Sequence, residues 1–146
     1  SEPIDQTSDT VINTAAPSAT RFRFGTKRTF PSTTPIGAAL SDSDGDGKLD
    51  ILVSNVSSSS NSVSLLLNRT EPGAAVPRFA AQRSFASGTS PIALATGDFN
   101  SDGKPDVAVA NLRSAAPTVS GMLNNQYQVS GGDRRGAGTI RYVSAP

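Results

Sequence analysis

Asp98-Phe99-Asn100-Ser101-Asp102-Gly103-Lys104-Pro105-Asp106 decides the reading of this chain, because Asp42-Ser43-Asp44-Gly45-Asp46-Gly47-Lys48-Leu49-Asp50 repeats it 56 residues upstream. Both stretches obey D-x-[DN]-x-D-G-x-x-D. Oxygen-bearing side chains at positions 1, 3, 5 and 9, with Gly directly after position 5, suit a short loop wrapped around a hard cation. The glycine permits the sharp bend that a Cβ would hinder. The candidate ligands are Asp42, Asp44, Asp46 and Asp50 in the first loop, and Asp98, Asn100, Asp102 and Asp106 in the second. The backbone carbonyls of Lys48 and Lys104 fill position 7.

Charge leads to the same conclusion independently of the pattern. Four carboxylates within nine residues repel one another unless a cation sits among them, and the second loop sets three beside one amide. The chain has no Cys and no His, so the donors are oxygens alone, which select Ca²⁺ over zinc or copper. Their number suits Ca²⁺ better than a largely hydrated Mg²⁺. A metal-free turn uses the same Asp, Asn and Gly residues. Two copies at matched spacing favour the metal, giving an expectation of two structural Ca²⁺ per chain.

The residues on the C-terminal side of each loop separate the metal-binding families. An EF-hand loop needs Glu at position 12 and helices on both sides. Here position 12 is Val53 or Val109, and the flanks Asp50-Ile51-Leu52-Val53-Ser54-Asn55 and Asp106-Val107-Ala108-Val109-Ala110-Asn111 are short and rich in β-branched residues. They read as strands. The stretch from Gly97 to Asn111 resembles the FG-GAP/VCBS repeat, the calcium-binding β-propeller blade of integrin alpha chains and many secreted bacterial proteins. The first copy has Ser41 and Ser43 where the second has Gly97 and Phe99, with every ligand position filled. The resemblance implies an all-β chain with a structural calcium in each loop.

The repeat extends beyond the loops. Phe24 and Phe30 match Phe79 and Phe85, Pro35-Ile36 match Pro91-Ile92, and Leu66-Leu67-Asn68 match Met122-Leu123-Asn124. Each period contains four strand candidates, in the second copy near 78–85, 92–97, 106–111 and 119–123, and four strands make one propeller blade. The expected architecture is therefore all-β, with two tandem four-stranded antiparallel propeller-type blades and an extra strand at each terminus. Within one domain, 1–146, the divisions are an arm at 1–20, repeats at 21–68 and 69–124, and a C-terminal loop and strand at 125–146. In Ile92-Ala93-Leu94-Ala95-Thr96-Gly97 one face is large and the other nearly flat, which lets a neighbouring sheet come close.

The termini suggest assembly. Val11-Ile12-Asn13 ends eleven residues before Phe24, as Leu66-Leu67-Asn68 ends eleven before Phe79, which is the spacing of a closing strand, and Tyr142-Val143 resembles an opening strand. Read as orphan strands, Val11, Ile12, Tyr142 and Val143 would complement one another between copies, giving a head-to-tail homo-oligomer, ring or filament. Asn55 and Asn68 open Asn-x-Ser/Thr triplets and are candidate glycosylation sites.

Composition narrows the function. No apolar run reaches the roughly 20 residues of a membrane-spanning helix. Without Cys there are no disulfides, so a protein of the exterior would rely on another brace, and calcium fills that role. The chain begins at Ser1 rather than Met, as after removal of a leader. Seven of the twelve acids lie in the two loops, so calcium would leave the net charge near about +5. An enzyme is disfavoured by the lack of an identifiable base, and nucleic-acid binding by the lack of a basic helix or aromatic strand motif. The reading is an extracellular or cell-surface structural and adhesive module, not an enzyme, whose partners are itself and glycans or a surface receptor. The alternative is a carbohydrate-binding fragment of a longer calcium propeller, though the chain has only eight aromatics for sugar platforms.

Overall fold

The computed structural model describes residues 23–58, 61–112, 116–125 and the strand at 142–144. It is all-β, with no helix among the described residues. Among the described residues eight strands form two four-stranded antiparallel sheets. The first sheet runs in order through β1 (Pro35–Ser41), β2 (Asp50–Asn55), β3 (Ser62–Leu66) and β4 (Arg83–Ala86). The second runs through β5 (Pro91–Gly97), β6 (Asp106–Asn111), β7 (Thr118–Asn124) and β8 (Tyr142–Ser144). The strands at the repeated Asp-Ile-Leu-Val and Asp-Val-Ala-Val flanks form as their branched side chains predict.

The phase of the repeat differs from the sequence expectation. The segment at 78–85 was expected to open the second blade; instead β4 pairs with β3 and closes the first sheet. Its early part continues that pairing: Ala80 N–H donates to Leu67 at 2.8 Å, Arg69 N–H donates to Arg78 at 2.8 Å, and Phe79 bridges Asn68. The free edge of β3 lies one antiparallel reversal away and takes up this segment before the chain crosses to the second sheet. For the same reason Tyr142 and Val143 are not an orphan pair. They lie in β8 opposite Asn124 and Leu123 and satisfy the free edge of β7. Residues 23–30 form no strand; Phe30 meets Phe79 edge to face at 5.0 Å. Val11 and Ile12 lie outside the described residues.

The pairing register assigns each side chain to a face. Ala39 lies opposite Leu52 and Leu52 opposite Leu65, so these share the face turned toward the second sheet. Leu94 opposite Val109, and Val107 opposite Met122, supply the second sheet's answering face. Leu52, Val63, Leu65, Leu67, Val107, Val109 and Met122 form one buried cluster spanning both sheets, with Ala80, Phe85 and Leu94 at its margin. The flat side is thus used on β1, where Gly37 meets β5 so closely that an added Cβ would stand 2.8 Å from the Ile92 carbonyl oxygen. Thr96 Oγ1 donates to Leu40 O at 3.2 Å across the same junction.

Each sheet is also clamped by an asparagine at the end of its second strand. Asn55 Nδ2 donates to Ser64 Oγ at 2.8 Å, and Asn111 Nδ2 donates to Ser120 Oγ at 2.8 Å. Asn55, one of the two candidate glycosylation sites, is buried with its amide nitrogen engaged. Asn68 Nδ2 likewise donates to Leu49 O at 3.0 Å.

Gly37→Ala should lower stability by about 1–3 kcal/mol, because the sheets must separate to admit the methyl group. Urea denaturation checks this, and an unchanged midpoint would show that the junction is looser than described.

Candidate metal centre

Both loops are turned by the same backbone geometry before any metal is considered. Gly47 and Gly103 stand at φ +84° and +83°, in the left-handed region that glycine enters without cost. Gly45 and Ser101, equivalent positions, are also left-handed at +77° and +62°. The first aspartate of each loop gathers the N–H groups that this turn points inward. Asp42 accepts from Gly45, Asp46 and Gly47 at 2.9, 3.0 and 2.9 Å. Asp98 accepts from Asp102 and Gly103 at 3.1 and 2.8 Å.

The last aspartate of each loop is buried and tied on both oxygens. Asp50 accepts from Ser43 N–H at 2.7 Å and from Asn68 N–H at 2.8 Å. Asp106 repeats this with Phe99 N–H at 2.7 Å and Asn124 N–H at 2.8 Å. One carboxylate therefore joins the loop's start to the end of the sheet's third strand. Burial pushes the Asp50 carboxyl up, the Asn68 and Ser43 N–H groups pull it back, and the charges of Asp44 and Asp46 push it up again. The negative form is thus favoured by the bonds and opposed by the surroundings, and a cation would relieve that opposition.

Asp42, Asp44 and Asp50 are brought together, each offering an oxygen within 4.8 Å of the others. Two oxygens bound to one Ca²⁺ at 2.3–2.6 Å are separated by at most about 5 Å, so the spacing fits. Asp44 Oδ1 is buried without a hydrogen-bond partner, an acceptor that only a cation or donor can satisfy. The donor set and the left-over oxygen both fit Ca²⁺. Asp46 is turned aside: its Oδ1 accepts from Lys48 N–H at 3.0 Å, and its Oδ2 lies 3.0 Å from Arg69 Nη1. In the second loop Asp102 takes the matching Lys104 N–H at 2.9 Å, and Asn100 Oδ1 accepts from Asp102 N–H at 3.3 Å.

Two kinds of participant were not legible as such. Arg69 Nη1 lies 2.8 Å from Asp44 Oδ2, and Asp44 first of all holds the guanidinium above its ordinary pKa. The second loop has neutral Asn100 where the first has Asp44, and neutral Asn125 where the first has Arg69. The extra charge in loop one is thus matched by an extra counter-charge, a paired difference that comparing the two repeats position by position would have revealed. Asn68 was visible as a repeat match and a candidate glycosylation site, and Asn124 as a repeat match alone, neither as a partner of the loop's last aspartate. Asn124 Nδ2 also donates to Ser43 O at 2.9 Å, fastening the second sheet to the first loop.

A family model described as FG-GAP-like repeat matches residues 42–109, and one described as FG-GAP repeat matches residues 90–129. The first begins at the first candidate ligand, Asp42, and the second encloses the whole of the second loop. No curated protein and no solved structure matches the chain.

Asp106→Asn should cost about 1–3 kcal/mol of stability in the presence of a chelator, because an amide keeps one acceptor and turns an N–H₂ toward the other backbone N–H. Denaturation in EDTA measures it. A change below about 0.5 kcal/mol would show that the two N–H bonds do not hold the loop.

Proposed function

We propose, for a chain that belongs to the FG-GAP repeat family across residues 42–129, that it is a calcium-braced structural and adhesive module of the cell exterior. FG-GAP repeats are β-propeller-type units, structural or adhesive in role and typical of extracellular proteins. The two four-stranded sheets accord with that family. The observation that carries the calcium reading is the convergence of Asp42, Asp44 and Asp50 with one Asp44 oxygen left without a donor.

In this reading Asp42, Asp44 and Asp50 hold the first ion, and Asp98, Asn100 and Asp106 hold the second. Asp46, Asp102 and the carbonyls of Lys48 and Lys104 complete the shells. The ion supplies positive charge where folding gathers carboxylates, and it performs no reaction step. The chain's part is to pre-form the turns through the N–H bonds to Asp42 and Asp98, so that little ordering remains to be done on binding. Extracellular calcium is abundant enough to keep such loops filled, and the absence of disulfides gives the brace a purpose there. Among the described residues no helix is long and apolar enough to cross a membrane. Attachment to a surface receptor or glycan belongs to the same proposal.

Calcium should raise the melting temperature relative to protein in EDTA, by about 2.7 kcal/mol per site at a hundredfold excess over Kd. Identical melting with and without metal rejects the brace. Asp44→Ala should leave the backbone bonds to Asp42 and Asp50 intact while calorimetry counts one calcium fewer per chain. Arg69→Ala should keep both sites and tighten the first a few-fold, since a fixed positive charge beside the ion is removed. Weaker binding in Arg69→Ala would mean that the arginine shapes the site rather than competes with the cation.

A further inference from the structure

The two sheets meet through unlike faces, and among the described residues no sheet packs on the other face of either. Sheet one turns Gly37, Ala39, Leu52 and Val63 toward sheet two, which answers with Leu94, Val107 and Val109. The repeat carries both surfaces a second time. Moving 56 residues along, the covered face of sheet one becomes Ala93, Ala95, Ala108 and Val119, on the outward side of sheet two. Moving back, the covered face of sheet two becomes Ile36, Ala38, Leu40, Ile51 and Val53, on the outward side of sheet one.

On the outward side of sheet one Leu66 and Ser64 of β3 are buried and Ile51 and Val53 of β2 half-buried, so the exposed part of that face is β1; on sheet two it is β5 and the start of β7. Val63 is fully buried, whereas its equivalent Val119 is 75% exposed. Ser43 is 1% exposed at the junction, whereas Phe99, its equivalent beside the second loop, is 53% exposed. On the other side Ile36 and Leu40 are 52% and 55% exposed. None of the residues named on either open face is charged. Exposed apolar side chains gathered on one strand face are a mark of an interaction surface. What they fit is set by the chain itself, because each is the counterpart of a surface already engaged inside the molecule.

We infer that a second copy of this chain docks the open face of its first sheet on the open face of the second sheet, repeating between chains the junction that joins the two sheets within one. The contact is head to tail, so each copy offers one face of each kind and further copies add in the same sense. The intermolecular junction is a variant of the internal one. Ala93 stands where Gly37 does and sets the incoming β1 back by a methyl group. The bulkier Leu40 and Ile51, in place of Thr96 and Val107, meet the smaller Ala108 and Gly121, in place of Leu52 and Leu65. The head-to-tail sense matches the sequence expectation, but faces carry it rather than exchanged strands, since β8 is already paired at home.

Sedimentation equilibrium of the 146-residue chain in millimolar calcium tests this. The mass should rise with concentration above the 15.0 kDa of one chain. Leu40→Glu and Ala95→Glu should each hold it at one chain, and an equimolar mixture of the two should recover a mass twofold higher, because each variant keeps the face the other lacks. Melting curves confirm that the variants fold; should Leu40→Glu melt early, Ile36→Glu replaces it. A parent chain that stays monomeric at the highest concentration overturns the inference. So does either variant associating alone, or a mixture that stays monomeric, as when a different protein or a further blade of a longer chain is the true occupant. Loss of association on removing residues 1–13 would assign it to strand exchange instead.

Discussion

A buried carboxylate that accepts two backbone N–H groups is the tie on which each half of this molecule depends. Asp50 and Asp106 lie at the first position of the second strand of their sheets, with neither oxygen left to water. Through them the start of the loop and the end of the third strand are fixed to one point. A hydrogen bond to a charged acceptor is roughly twice as strong as a neutral one, and here two converge in a desolvated place. The same placement makes the charge costly. Folding therefore creates a site with an excess of negative charge, and the metal reading rests on that excess rather than on the loop pattern alone.

The second organising feature is that the sheets are joined by unlike surfaces. A flat strand face, kept flat by Gly37 and Ala39, receives the larger face of Leu94, and only this difference lets the backbones come close. Among the described residues one face of each kind stands without a partner sheet. The fastening of Asn124 to Ser43 places the first loop inside that junction, while the second loop borders an open face. The two loops are alike in sequence and unlike in surroundings.

Small differences between the repeats are compensated where they arise. Asp44 brings Arg69 with it, and Asn100 does without. Ser32 bonds Asn55 Oδ1, whereas Gly88 stands at the equivalent place and Asn111 Oδ1 is left without a partner. A side chain at Gly88 would meet the Asn111 amide, since an added Cβ stands 2.6 Å from it. The second repeat thus trades one hydrogen bond for close packing.

Much of this was legible in the sequence. The carboxylate spacing, the glycine after position 5 and the branched flanks are local properties, so the loops, their turns and strands β2 and β6 could be read from neighbouring residues alone. The repeat itself implied four strands per period. What the sequence could not decide was which edge each strand joins, because the segment at 78–85 suits the close of one sheet as well as the opening of the next. Hydrogen bonding settles that by pairing it with β3, and likewise places Tyr142 and Val143 beside β7. The burial of Asn55, the reach of Arg69 across to Asp44 and the choice of which flat face is covered also belong to tertiary structure. Each depends on contacts between residues distant in the chain, whose geometry exists only once the sheets have formed.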